Sequence, residues 1–335
     1  MSTYYTSKYS GEQIDEAVKK IMDGEMTGDY ADRQLSNLDT PQAALANLGA
    51  GVRPNLLDNA IFIGGGSQQG GGQLPINQHG ETEYNNTTFG IDRWITLGRC
   101  TIQSDCIVIV KSGEAVQYLF QVIPTEVIDI LLGQPVTYSV AYKDENGRLN
   151  ISTISFIFPA SKGGLDGNAI GVSGITSNIY SSSGSVYVCR FYSVSIIQAK
   201  LVAVKLEFGS NQTLAYQDED GAWQLLPQPE SDYATQLAKC QRYLQLSITG
   251  DYRASYISAN SIVFVVPTPV TMRVSPTIVG DFLVKTIDGS MQTGFTFAAQ
   301  KMSNHIIVTA TKTAHGILDA MLSIQSNTDG FTAEL

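Results

Sequence analysis

From residue 54 to about 227, apolar and polar positions alternate in short runs separated by turn residues. Val136, Tyr138, Val140 and Tyr142 alternate with Thr137, Ser139 and Ala141, the period of two expected of a strand with two unlike faces. Runs of strand length are GIDRWITLG, RCTIQSDCIVIVK, VQYLFQVI, PVTYSVAYK, NISTISFIF, SVYVCRFYSVSIIQ and LVAVKLEFG. Asn146-Gly147, Gly163-Gly164, residues 181–184 and Asp220-Gly221 supply turns between them. PTEVIDILLG at 124–133 breaks the rhythm, and Val127, Ile128 and Leu131 there predict a short helix. So many short antiparallel strands predict a mainly β chain, with a two-sheet antiparallel sandwich of jelly-roll type over 53–229. Residues 230–246 switch to helical spacing through Tyr233, Leu237, Cys240 and Leu244, which reads as a helix, or a helix running into a strand. Residues 247–335 return to strand spacing and predict a second, smaller C-terminal β-sandwich of about five to seven strands.

The N-terminal 52 residues differ. Ser10 and Gln13 fit a capping box, Ile14, Val18 and Ile21 form one narrow apolar stripe, and Gly24 stands where a helix ends. One stripe on a short helix needs a partner, because nucleation is costly. Copies of itself in a short parallel bundle are one answer, and packing on its own chain is another. A second short helix is predicted over 40–48, with Thr40 as cap, Pro41 in the first turn, Leu45 and Leu48 on one side, and Gly49 at its end.

Composition narrows the possible functions. The chain of 335 residues is 43% hydrophobic but only 16% charged, and its net charge is -10. The missing charge is replaced by Ser, Thr, Asn, Gln, Gly and Tyr, a palette of adaptable binding faces. Lys and Arg form no cluster, so a nucleic-acid partner is not expected. MSTYYTSKYS lacks the apolar core of a signal peptide, and no run reaches the roughly 18 apolar residues of a membrane span. A chain made in a cytoplasm without membrane insertion is the expectation. Cys100, Cys106, Cys189 and Cys240 lack metal-ligand spacing and read as buried thiols, with Cys100 and Cys106 on one face of a single strand.

Candidate chemistry is sparse. The stretch IGGGSQQGGGQLPINQHG at 63–80 has no Lys and opens no helix, which excludes a phosphate loop. His79, His305 and His315 accompany no nucleophile elbow. Asp144 and Glu145, and Asp218, Glu219 and Asp220, fall in Gly-containing turns and read as solvated hairpin tips. No enzyme is expected. Trp94 reads as core, and Trp223, just after an acidic turn, as exposed or in contact with a neighbouring subunit.

Three stretches carry a resemblance. YSGEQIDEAVKKI with QLSNLDTPQAALANLGAG is similar to the N-terminal helix and connector of phage tail fibres and baseplate receptor-binding proteins. NLLDNAIF, INQHGETEY and GIDRW resemble the jelly-roll domain of tail proteins from phages and prophages and, more distantly, carbohydrate-binding jelly rolls. VKLEFGSNQT, AKCQRYLQL and PTPVTMRVSPTI resemble the end of that domain and the β module after it. Against the pattern, Gly64 to Gln73 reads as an insertion and His79 stands where Arg is commoner.

The resemblance implies a virion tail protein, a homotrimer that binds host-surface glycan. Residues 1–52 would attach to other tail or baseplate proteins and trimerise through Ile14, Val18 and Ile21. Residues 53–229 form the jelly roll, 230–246 a helical connector, and 247–335 the receptor-binding tip. Trp223, Tyr252 and Tyr256 are candidate glycan-binding residues, since sugar faces stack on aromatic rings. No cofactor is implied beyond a structural calcium, for which Asp58, Asp92 or Glu207 would supply oxygens. A purely structural adaptor or collar fibre, and a carbohydrate-active enzyme, are the alternatives.

Overall fold

The computed structural model describes residues 52–64, 74–85, 90–110, 117–163, 168–181, 186–193, 198–228, 232–246, 248–326 and 328–333. The helices expected over 10–24 and 40–48, with Ile14, Val18 and Ile21, lie outside them. Within them the chain is mainly β, built from antiparallel sheets.

Five strands come first: β1 (Glu83–Asn85), β2 (Ile95–Thr96), β3 (Arg99–Ile102), β4 (Ile107–Val110) and β5 (Gln117–Ile123). Helix α1 (Thr125–Leu131) follows and buries Ile128 and Leu131. Next come β6 (Pro135–Lys143), β7 (Leu149–Ile157), β8 (Ala169–Val172), β9 (Ile175–Ser181), β10 (Tyr187–Tyr192) and β11 (Gln198–Phe208). They form two sheets, ordered β1-β3-β4-β11-β6-β7 and β2-β5-β10-β9-β8. Side chains from both sheets share one core, with Trp94, Tyr138, Phe158, Tyr187 and Phe191 at its centre. That makes a face-to-face sandwich. Trp94 is wholly buried, and its indole N–H donates to the Asn59 carbonyl at 2.9 Å.

The alternation in β6 is real, but its second face is not solvated. Val136, Tyr138 and Val140 enter the core, while Thr137, Ser139 and Ala141 on the opposite face are equally buried. Thr137 donates to the Gly209 carbonyl at 2.7 Å and Ser139 bonds Thr153 at 2.9 Å, while Ala141 lies under a hairpin, β12 (Ala215–Gln217) and β13 (Trp223–Leu225). Its Leu214 and Leu225 pack with Ala141, Val202, Ala203 and Cys106 in a second, outer cluster. The expected shared strand face for Cys100 and Cys106 fails for a related reason. The chain turns between them, with Gln103 N–H donating to the Cys106 carbonyl at 2.9 Å. Cys100 therefore faces the main core and Cys106 the outer cluster.

Helix α2 (Tyr233–Gln241) is capped by Asp232, whose carboxylate accepts the Thr235 N–H at 2.9 Å. It runs directly into β14 (Leu244–Leu246). The stripe Tyr233, Leu237 and Cys240 meets Leu74 and Ile76, the apolar end of the glycine-rich stretch. The remaining strands are β15 (Gly250–Ile257), β16 (Ser261–Pro267), β17 (Thr277–Val279), β18 (Phe282–Thr286), β19 (Met291–Gln292), β20 (Thr296–Lys301), β21 (His305–Thr311), β22 (Ala320–Ile324) and β23 (Gly330–Thr332). They make a seven-stranded sheet, β19-β18-β22-β15-β16-β21-β20, and a three-stranded sheet, β14-β23-β17, that share a core around Phe264, Phe282 and Phe331. Short pieces such as β17, β19 and β23 raise the strand number above the five to seven expected of this region.

Polar contacts join these sheets to the sandwich. Gln78 Nε2 donates to the Leu244 carbonyl at 2.8 Å, and Arg93 stacks 3.6 Å from the centre of the Tyr243 ring. Arg273 reaches Glu126 of α1 at 3.6 Å.

Candidate functional site: a cleft between two alike turns

The β6–β7 turn reads DENGR and the β12–β13 turn reads DEDGA. Both fold the same way. The Asp144 carboxylate accepts the N–H groups of Asn146 and Arg148, each at 2.9 Å. The Asp218 carboxylate accepts those of Asp220 at 3.1 Å and Ala222 at 2.8 Å. Gly147 and Gly221 close the turns with φ of +78° and +74°, left-handed values that glycine adopts without strain. Backbone N–H donation from Arg148, then from Asn146, holds Asp144 below the usual carboxylate range. Donation from the Gln224 side chain and the Ala222 backbone does the same for Asp218.

Between the turns lies a cleft of about 680 Å³. Trp223, half-buried, forms part of its wall, with Asn150 on β7 and Gln217 on β12. Arg148 and Asp220 are exposed at its edge. The Asn150 amide donates to the Arg148 carbonyl at 3.0 Å, and the Gln217 amide to the Gly221 carbonyl at 3.3 Å, so each keeps further bonding capacity. An aromatic face beside two amides, a guanidinium and a carboxylate suits a flat, hydroxyl-rich ligand. The carboxylates of Asp144 and Asp218 are committed to their own turns.

Trp223 thus lines a cleft. Tyr252 and Tyr256 stand elsewhere, on β15 of the seven-stranded sheet. Tyr252 is half-buried against the C-terminal core and donates its hydroxyl to the Ile248 carbonyl at 2.7 Å, and burial raises its pKa. Tyr256 is 61% exposed. Arg148, Asn150 and Gln217 were not singled out from sequence. The signal that marks them is the repeated D-E-x-G turn that each of them flanks or enters.

The three candidate calcium ligands do not converge. Asp58 pairs with Arg93 at 3.4 Å. Asp92 is fully buried and accepts from Gln78 N–H at 2.9 Å and Gln78 Nε2 at 2.5 Å. Burial pushes its carboxyl up, against the pull of the Gln78 bonds. Glu207 lies apart in the outer layer, where it accepts from the Thr213 N–H at 2.6 Å and pairs with Lys205. Each of the three carboxylates meets a protein donor, and among the described residues no group of three or more His, Cys, Asp or Glu is placed to hold a metal. The donor set does not fit a calcium site.

These acids belong to a frame instead. Asn59, at φ 50°, bonds Ile76 through both ends of its amide, at 2.6 and 2.8 Å, and donates to the Asp92 carbonyl at 2.9 Å. Asn55 donates to the Val204 carbonyl at 2.7 Å, and the hydroxyl of Tyr84 bonds Asn77. The segments NLLDN, NQHG and IDRW therefore meet in one hydrogen-bonded knot. No helix among the described residues is long and apolar enough to cross a membrane. No known protein family, curated protein or solved structure matches this chain.

Proposed function

We propose that this chain is a non-catalytic receptor-binding component of a phage tail or tail-like particle, which attaches to bacterial surface glycan through the Trp223 cleft. The observation that carries the reading is the cleft itself, where one aromatic ring and two amides line about 680 Å³ between paired hairpin turns. Rigid aromatic area with adaptable amides is how proteins hold sugars without strong charge. The resemblance supplies the setting. What it implies is a homotrimer on a virion, joined through residues 1–52 to other tail proteins. Three copies of a weak site would raise avidity for a repeated epitope.

The test is binding of purified chain to a printed panel of bacterial surface polysaccharides, with wild type beside Trp223→Ala. Binding that Trp223→Ala abolishes supports the reading. Binding that survives the substitution moves the site elsewhere, and Tyr256 is the next residue to change. No binding to any polysaccharide, with a trimer by light scattering, leaves a structural adaptor as the better account.

A further inference from the structure

We infer that the Trp223 cleft selects uncharged or amine-bearing saccharides and turns away those carrying carboxylates, such as uronic and sialic acids. This deepens the binding reading above and rests on it.

The two turns concentrate negative charge at one place. Asp144 and Asp220 line the cleft, and Glu145, Asp218 and Glu219 belong to the same two turns. Arg148 is the single cation in the lining. Five acids against one base leave a surplus of four negative charges (5 − 1) on residues 144–148 and 218–222. Asp144 and Asp218 stay ionised, because their turns donate hydrogen bonds to the charged form. The chain as a whole, these residues included, carries a net charge of -10.

Arg148 argues the other way, since a guanidinium suits a carboxylate. It is outnumbered. At roughly 9 Å in water one unit charge changes the binding of a singly charged ligand about twofold. Four together disfavour an anion by roughly tenfold at low salt, and screening shrinks that gap as salt rises. An amine gains by the same margin. Trp223 adds to both favoured classes, because its face attracts a cation as well as a sugar ring.

The experiment uses the full chain on polysaccharides sorted as neutral, amine-bearing, uronate-bearing and sialate-bearing, at 50 mM and 500 mM salt. The expected result is binding of neutral glycans roughly tenfold above acidic ones at low salt, with amine-bearing glycans higher still, and both gaps closing at high salt. The variant Glu145→Gln/Asp220→Asn changes neither turn-closing carboxylate and is expected to narrow the gap. Acidic glycans bound as tightly as neutral ones, in a manner lost in Trp223→Ala, overturn the inference and keep the glycan reading. Binding of no class, or binding that ignores Trp223, overturns both.

Discussion

Lys205 and Glu207 stand two residues apart on β11, both wholly buried, with Nζ and Oε2 3.6 Å apart beneath the β12–β13 hairpin. Half-buried Thr213 ties them together. Its hydroxyl accepts from Lys205 Nζ at 2.8 Å and from the Arg53 N–H at 3.1 Å, and donates to Glu207. Lys205 completes its three donations at the Thr213 carbonyl, 3.1 Å, and Gln228 Oε1, 2.7 Å.

Thr213→Val keeps the shape and removes that hydroxyl. It is expected to cost about 2–4 kcal/mol, the range for stripping a partner from buried charge. Replacing both charges, as Lys205→Met/Glu207→Leu, is expected to cost less than Lys205→Met alone, because no unpaired charge remains. Urea unfolding measures both. A Thr213→Val variant within experimental error of wild type contradicts the account.

The same pair sets a pH dependence. Burial pushes the Lys205 ammonium down from 10.5 to about 8, with Glu207 opposing. Above pH 8 the folded chain has released this proton while the unfolded chain still holds it, so stability rises with pH, by up to about 1.4 kcal/mol per unit. From pH 9 another effect enters. Burial raises Cys100 and Cys189 from 9.0 to about 12, so the unfolded thiols ionise first and stability falls. Between pH 7.5 and 9 the unfolding free energy of wild type is expected to rise relative to that of Lys205→Met/Glu207→Leu, in which the thiols act alone. Parallel curves would exclude Lys205 as the source.

All four cysteines are buried thiols, none of them in a disulfide. With the thiolates of Cys100, Cys106 and Cys189 suppressed by burial and Cys240 enclosed, reaction with Ellman's reagent at pH 8 is expected to be slow in native protein and to reach four thiols on unfolding. Any thiol that reacts in the native state at the rate of free cysteine would contradict its placement.

Asn59→Ala removes three buried hydrogen bonds and leaves alanine at φ 50°. About 3–5 kcal/mol is the expected loss in chemical unfolding. Gln78→Ala acts at a distance from the sandwich core. It frees the Leu244 carbonyl and the Leu246 N–H, the latter bonded to Gln78 Oε1 at 3.4 Å. Hydrogen exchange across 244–246 is expected to quicken. Unchanged exchange there would mean that Gln78 does not couple the sandwich to β14.

Much of the fold was legible because period and punctuation act locally. Val127, Ile128 and Leu131 sit at helical spacing and form α1, and the stripe through Tyr233, Leu237 and Cys240 forms α2 just before β14. β9 escaped notice because Ser177 and Asn178, both buried, interrupt the apolar pattern and bond across the sheet instead, and β8 is only four residues long. The outer layer was hidden for another reason. Thr137, Ser139 and Ala141 do not read as a second buried face, since Thr137 meets Gly209, Ser139 meets Thr153, and Ala141 packs with Leu214 and Leu225 only in the folded chain. At the site, Trp223 stood out by type and position. Its companions did not, because Asn150 and Gln217 become neighbours only when two turns far apart in sequence meet. The acids at 58, 92 and 207 misled as calcium ligands since a carboxylate's partners, here Arg93, Gln78 and Thr213, are a tertiary fact.

The paired turns have one more implication. Each is locked by its own first Asp and its Gly, so Glu145, Asn146, Glu219 and Asp220 carry no share of the folding task through their side chains. These four positions can drift while the scaffold under them stays fixed. The rim can therefore be re-lettered by single substitutions, without renegotiating the protein beneath it.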